Sequence, residues 1–585
     1  MKNISLFLFK DEELLILTLL SILIVGIVYL ISKKVNKKDF FPLLSITLVY
    51  ALISLWNLGS NKIPTTTWQP VEAYQSFILE VEDGFNQINL IYGEGDNNSL
   101  EKGYQLGVEN MIIEGSNDLY NWEEISTLEK GRIFEYSFIE GDYNYKYIRI
   151  TSTNIKQTLT EIAFIKDNEL VNVSVYEDKY SDSKYPASLV IDEQDKVVIS
   201  PTYYDEFYFD EIYHVRNAKE VADGQYMYAS VHPLLGTNII ASFIKLFGFT
   251  PFVFRLPGAL FGIAIVVLIY LLAKLLFDKT IISSLAAILS ACDFMHLTTS
   301  RIATLEPFSI FFIILMFYWM IKYYKEEDHK KEIVDLLICG ISMGLAISTK
   351  WTACYSAIGL AVILFKKLTE TKKNVISSLL WCVLFFVIIP LIIYWLSYLP
   401  DKVWRDSWSI KNVWEHNITM FEYHSKLVST HPYSSKWYQW LLDIRPIWYY
   451  SNINDVGISN TIACFSNPLL TWAGVPAIIY CLFKIKDKTS FIIAIGYLTA
   501  ILPWTPISRT TFAYHFYPTS IFVILAICFC ANKLMEKRNE NRQLIYIFMA
   551  LYVLIFIVYL PICTGFGTTK VYIKALELFP TWYFG

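Results

Sequence analysis

Two adjacent carboxylates, Asp210 and Glu211, stand in the run Tyr208-Phe-Asp-Glu-Ile-Tyr213, just ahead of the largest hydrophobic block of the chain. His232-Pro-Leu-Leu-Gly236 follows, and the next apolar segment opens on Arg255-Leu-Pro-Gly258. Carboxylates held at the edge of a membrane bundle are costly to desolvate, so they tend to mark chemistry or ion movement. Asp210 fits a general base, because a carboxylate near a dry interface holds a proton more tightly than one in water. Glu211 could orient an acceptor or a neighbouring cation. The competing reading is that the pair only caps a helix beginning near Ile212, since acids favour helix N-termini.

The elements that must position these groups are membrane spans. The chain has 585 residues, 54% of them hydrophobic and 16% aromatic, with a net charge of −5. Its apolar residues fall in runs near 12–32, 41–58, 251–277, 280–297, 307–321, 333–349, 352–366, 375–397, 466–483, 489–503, 510–532 and 543–562. A helix needs roughly 20 such residues to cross a bilayer. No basic stripe supports a nucleic-acid partner. None of the nine cysteines lies in the polar stretch 59–236, and no CxxC or CxxH spacing occurs, so neither a disulfide framework nor a zinc site is expected.

Lysine and arginine set the orientation. Lys33, Lys34, Lys37 and Lys38 follow the first apolar run instead of leading it, which reads as an anchored helix with its N-terminus outside and not as a cleaved signal. Each alternate loop after that is basic, for example Lys322/325/330/331 and Lys533/537 with Arg538/542. The layout leaves two long outer segments, 59–236 and 398–465. The first contains short alternating strands at Ser76–Val81, Gln87–Tyr92, Met111–Glu114, Tyr147–Thr151 and Glu161–Ile165, parted by turns such as 93–98, which reads as a β-sandwich. The second is rich in aromatics and histidine, including Trp404, Trp408, Trp414, His416, His424, Trp437, Trp440 and Trp448. Such a segment suits the headgroup layer, or a lid whose rings stack on sugars.

Cations that this topology puts at outer helix ends are Arg255, Arg301, Lys350 and Arg509. Each could grip a departing phosphate, or snorkel to lipid headgroups. No histidine pair has helical metal-ligand spacing with a carboxylate, so no metal and no cofactor is expected. His232 and His515 are candidate substrate contacts.

Taken in order, the following pieces resemble the protein O-mannosyltransferase family over about 205–560: Phe209-Asp-Glu211, His232-Pro-Leu-Leu-Gly236, Arg255-Leu-Pro-Gly-Ala-Leu-Phe-Gly262, Asp293 with Ser300-Arg301, and Gly344-Leu-Ala-Ile-Ser-Thr-Lys350-Trp351. His431-Pro-Tyr-Ser-Ser435 with Trp440, Ser466-Asn-Pro468, and Pro503-Trp504 with Arg509 and Tyr514-His515 complete the series. The chain departs from the pattern at Leu234, where a second proline is usual, and at Glu306, where aspartate is usual. It also lacks the β-trefoil insert of eukaryotic members. Glu114-Gly-Ser-Asn-Asp-Leu-Tyr-Asn-Trp122, Lys146–Thr151 and Thr160–Phe164 resemble a discoidin, or galactose-binding-like, domain over about 100 residues, which implies a possible glycan ligand.

The resemblance implies a polytopic α-helical membrane protein of the C-type glycosyltransferase fold, with about 12 spans and a β-sandwich inserted after the second. Its parts would be 1–60, two helices; 61–198, the sandwich; and 199–585, the membrane domain, with a catalytic loop at 199–250 and the aromatic loop 398–465. It implies mannose transfer from polyprenyl-phosphate mannose to Ser or Thr of exported proteins at the outer face of a bacterial plasma membrane. Asp210 and Glu211 would be catalytic. His232, Arg255, Asp293, Arg301, Lys350, His431, Arg509, Tyr514 and His515 would bind substrate. One base and no second carboxylate nucleophile predict a single displacement with inversion. The alternatives are a lipid or cell-wall glycan as acceptor, or a transporter or flippase of lipid-linked sugar.

Overall fold

The computed structural model describes residues 37–93, 110–128, 131–228, 230–403, 409–427, 430–453 and 457–585. The expected first span at 12–32, most of the 93–98 turn, Trp404 and Trp408 lie outside them. The chain divides into two compact units, one of residues 59–229 with 241–254, the other of the remainder.

The first unit is built on two antiparallel sheets. Its strands are β1 Ser76–Val81, β2 Phe85–Ile91, β3 Met111–Ser116, β4 Glu123–Leu128, β5 Tyr136–Tyr143, β6 Tyr147–Thr151, β7 Glu161–Lys166, β8 Glu169–Val171 and β9 Val173–Asp178. One sheet runs β4-β3-β6-β1-β9 and the other β5-β2-β7-β8. Alternation decides the faces: Phe77, Leu79 and Val81 of β1 point into one core with Ile88 and Leu90 of β2, Ile148 and Ile150 of β6, and Ile162 and Phe164 of β7. Residues 199–229 pack with these sheets in the same unit.

Three carboxylates meet at one edge of this unit. Oxygens of Glu161, Asp192 and Glu193 lie within 4.8 Å of one another. Glu161 is fully buried. Desolvation, reinforced by the charges of Asp192 and Glu193, pushes its pKa up to about 8. A carboxyl whose folded pKa is raised costs nothing below its unfolded value near 4.5 and destabilises increasingly as pH climbs toward 8. Glu161→Gln retains an acceptor for the Gln194 amide, 2.6 Å away. It is expected to stabilise the sheets by roughly 2–4 kcal/mol at pH 8 and by nothing measurable at pH 4, read as hydrogen exchange of β7 in the whole protein.

The second unit is helical. Among the described residues, seven helices are long and apolar enough to cross a membrane: Lys37–Leu55, Pro251–Phe277, Glu306–Lys325, His329–Thr349, Val375–Leu396, Ala513–Lys537 and Arg542–Thr564. Thr280–Ala291 and Phe294–Arg301 form an eighth when taken as one span bent by 55°. Shorter apolar helices occupy Leu235–Phe247, Pro468–Phe483 and Lys488–Trp504. With Ala353–Thr371, helices stand at each expected apolar run from 41 onward, although several are too short to cross alone.

The Arg255–Gly262 motif has a packing reason. A Cβ on Gly258 would meet the Ser300 carbonyl oxygen at 2.9 Å, and one on Gly262 would meet Ser300 Oγ at 2.4 Å. Two glycines one turn apart thus let the backbone of the bent span come close, as small residues do between membrane helices.

Candidate functional site

In the helical unit, sequence-distant segments converge at one narrow cleft, lined by Glu306, Lys350, Trp504, Tyr514, His515 and Tyr517 among others. Glu306 opens the helix Glu306–Lys325, and Lys350 ends the helix His329–Thr349. A carboxylate at a helix N-terminus and an ammonium at a C-terminus each match the local dipole. The two side chains form an ion pair across the cleft, with 11% and 14% of their side chains exposed. Glu306, where the family pattern has aspartate, is thus the partner of Lys350.

Aromatic rings build the other wall. Lys350 Nζ lies 5.6 Å from the Tyr514 ring centre. Tyr514 stacks on His515 at 4.5 Å, and Trp504 meets the same imidazole edge-on at 4.6 Å. Trp440 lies parallel to it at 6.0 Å. This wall is held by a strap between two loops: Ser435 N–H donates to the Thr511 carbonyl at 2.8 Å, and Thr511 Oγ1 donates back to the Ser435 carbonyl at 2.6 Å. Trp440 Nε1 donates to Ser435 Oγ at 2.9 Å. The strap also sets His431 against Phe512, with ring centres 5.0 Å apart.

A second group of histidines fixes His232. The amphipathic helix Ile410–Lys426 carries His416 and His424 two turns apart. Their Nε2 atoms lie 2.9 Å from the Ser230 carbonyl and 2.7 Å from the Val231 carbonyl. The His232 ring then lies 5.3 Å from that of His424. Burial, followed by the charges of Arg509 and Lys350, holds His424 below the ordinary histidine range, so it stays neutral at pH 7. Its Nδ1 is buried with no hydrogen-bond partner among the described residues. The opposite face of the helix exposes Ile410, Trp414, Ile418 and Phe421, an apolar stripe of the kind that rests in lipid headgroups. His424 and Trp504 were not singled out as site residues by the sequence; spacing gives no hint of them, since they become neighbours of the cleft only through folding.

Arg509 is half-buried and has no hydrogen bond or ion pair among the described residues. Its charge nevertheless acts on His424 and on His515, as does that of Lys350. Two cations therefore act on one histidine-rich region.

Three expected substrate contacts have another use. Arg301 Nη1 donates to the carbonyls of Ile53, Ser54 and Trp56 at 2.6–3.0 Å, and Nη2 to that of Asn57 at 2.9 Å. It closes the C-terminal end of the helix Phe40–Leu55, whose last carbonyls lack intrahelical donors. Arg255 is fully buried and donates to the Leu58 carbonyl at 3.2 Å, continuing the same closure. Asp293, 1% exposed, caps the second half of the bent span through His296 N–H and accepts the Asn467 N–H at 2.8 Å. Polar atoms of all three are thus engaged in holding the backbone.

Asp210 and Glu211 belong to the β-rich unit. Asp210 occupies the N-cap position of the helix Glu211–Ala222 but makes no side-chain cap hydrogen bond. The expected start near Ile212 is one residue late. Glu211 is fully buried, and its Oε2 accepts the Tyr208 N–H at 3.3 Å. Phe209 precedes them with φ of +52°, a left-handed conformation costly for a bulky residue. The turn is tied down by Glu206, whose carboxylate accepts the Tyr136 N–H of β5 at 3.0 Å. Further along the helix, Arg216 and Glu220 form a buried pair at 3.1 Å, with Arg216 4.1 Å from the Tyr228 ring centre.

Residues 184–394 match the family model described as dolichyl-phosphate-mannose-protein mannosyltransferase. Residues 409–489 and 484–582 match the model of the C-terminal four-transmembrane-helix region of protein O-mannosyltransferase. A polyprenol-phosphate-mannose–protein mannosyltransferase of Mycobacterium tuberculosis is 23% identical over 438 residues, 63% of this chain and 83% of that protein. The protein of the same name from Corynebacterium glutamicum is 25% identical over 428 residues, 60% of this chain and 81% of its own length. Among solved structures, the Saccharomyces cerevisiae protein O-mannosyltransferase complex bound to the sugar donor superposes with a TM-score of 0.57 at 14% identity, covering 65% of this chain and 89% of that one. That likeness establishes the fold.

Proposed function

The chain belongs to the protein O-mannosyltransferase family and is a polytopic membrane glycosyltransferase of the C-type fold, and from that premise we propose that it moves mannose from polyprenyl-phosphate mannose to Ser or Thr hydroxyls of exported proteins. The observation that carries the reading is the cleft in which Lys350, paired to Glu306, meets Tyr514 and His515 within reach of the Arg509 charge. A lipid-linked sugar carries its own leaving group. The enzyme must therefore receive a phosphate, take a proton from the acceptor and exclude water.

In this proposal Lys350 and Arg509 receive the charge that develops on the departing polyprenyl phosphate, and Asp210 takes the acceptor hydroxyl proton. Glu211 orients the acceptor. The hydroxyl oxygen forms the new bond to the anomeric carbon as the carbon–phosphate oxygen bond breaks, so the configuration inverts. Tyr514, His515, His431 and His232 position the sugar, aided by the flat faces of Trp440 and Trp504. The reaction runs at the outer face of a bacterial plasma membrane.

The test is transfer by the purified full-length protein from synthetic polyprenyl-phosphate mannose to a Ser/Thr-containing peptide, read by mass spectrometry and by NMR of the new linkage. The expected product is a peptide carrying one hexose, its anomeric configuration opposite to the donor's. Retention would overturn the single displacement. Transfer only to lipid or glycan would overturn the protein acceptor.

A further inference from the structure

At the other end of the same helices lies a pocket that the transfer reaction does not use. The helix Tyr517–Lys537 begins at the Lys350 cleft, which Tyr517 lines, and Met535 near its end lines the second pocket. Eighteen residues at 1.5 Å per residue put the two about 27 Å apart, close to the thickness of a bilayer's hydrocarbon core. The second pocket therefore lies at the opposite membrane face.

Its lining is specific in charge. Lys38, Lys279 and Arg542 converge on it, from the segment leading into the helix Phe40–Leu55 and from the starts of the bent span and of the helix Arg542–Thr564. The hydroxyls of Thr280, Ser284 and Tyr546 also face it, while Pro42, Ile281, Met535 and Met549 supply an apolar side. Among the described residues, no carboxylate lines it. The nearest buried acid, Asp39, is already neutralised: it pairs with Lys274 at 3.2 Å and accepts from Tyr270 and Thr280, each at 2.6 Å. Lys279 meets Glu536 only in a long, partly exposed pair of 3.8 Å. Its volume, about 730 Å³, far exceeds what a bare ion needs.

We propose that this pocket binds the phosphate headgroup of an anionic phospholipid, with the lipid's acyl chains against the Ile281, Met535 and Met549 side. Cations grouped between spanning helices at a membrane face attract anionic headgroups, and the hydroxyls add donors for phosphate oxygens. A free phosphate ion shares the charge chemistry but leaves the apolar side unused.

The experiment is native mass spectrometry of the delipidated full-length protein with phosphatidylglycerol, phosphatidylcholine or glycerol phosphate. One phosphatidylglycerol is expected to be retained about tenfold more than phosphatidylcholine. Lys279→Gln/Arg542→Gln should reduce retention to the phosphatidylcholine level, and Ser284→Trp, which keeps every charge but fills the pocket, should do the same. Mannosyl transfer by these variants serves as the check that they are folded. Unchanged retention in a folded variant would overturn the site, whichever variant it is. Glycerol phosphate binding as well as the intact lipid would overturn the lipid assignment in favour of a phosphate site.

Discussion

Asp210→Asn is expected to lower mannosyl transfer by roughly 10³-fold while leaving the protein as stable as before, because loss of a positioned base typically costs 10²–10⁴ in rate. The substitution keeps size and shape and removes only the ability to hold a proton. The helix-cap reading predicts otherwise. Asparagine is as good an N-cap as aspartate, so on that reading nothing should change in either rate or stability. Asp210 makes no side-chain cap hydrogen bond in any case. The strain at Phe209, directly before it, is what a turn built for chemistry carries and a turn built only to start a helix avoids. The measurement is kcat with peptide acceptor beside thermal unfolding of the same preparation. Wild-type turnover in Asp210→Asn would remove this residue from the chemistry.

Glu211 behaves differently from its neighbour. It is fully buried and accepts a backbone N–H, so removing its carboxylate leaves a buried donor unpaired, at a cost of about 1–3 kcal/mol. A loss of activity in a Glu211 variant is therefore ambiguous unless folding is measured alongside it.

What could be read from the chain depended on whether the signal was local. Period-two alternation marks β1 and β6 with the bounds they have in the structure, because each strand buries one face and a slip of one residue would turn that face outward. Long apolar runs likewise mark the spanning helices. The break at Asp293 was hidden inside one such run: hydropathy averages over a window, and a 55° bend held by a single capping carboxylate does not alter the average. The cations show the same limit from another side. Basic residues at helix ends are visible in sequence, but whether a guanidinium meets a helix's open carbonyls or a ligand depends on which helix ends next to it. Arg301 and Arg255 meet the end of the Phe40–Leu55 helix, nearly 200 residues or more away along the chain. Lys350 lines a cleft instead, where the charge of Arg509 also acts on His515, and Glu306, met in the sequence only as a departure from a pattern, pairs with Lys350.

That division carries the second large prediction. Arg509→Ala is expected to reduce kcat/KM for the lipid-phosphate donor by roughly 10²–10³-fold, the effect of losing one well-placed donor of about 3–4 kcal/mol at a developing oxyanion. Folding should be untouched, because no hydrogen bond or ion pair of Arg509 occurs among the described residues. Arg509→Lys should recover part of the rate by restoring charge without the guanidinium's fork. Arg301→Ala should do the opposite. It leaves the carbonyls of Ser54, Trp56 and Asn57 without their donor in a buried place, so yield and unfolding temperature fall. The donor KM of whatever protein folds should stay near wild type. Donor kinetics and thermal unfolding of both variants decide the matter. If Arg301→Ala folded normally and lost donor affinity while Arg509→Ala kept its rate, the phosphate would lie against the helix closure and not in the Lys350 cleft.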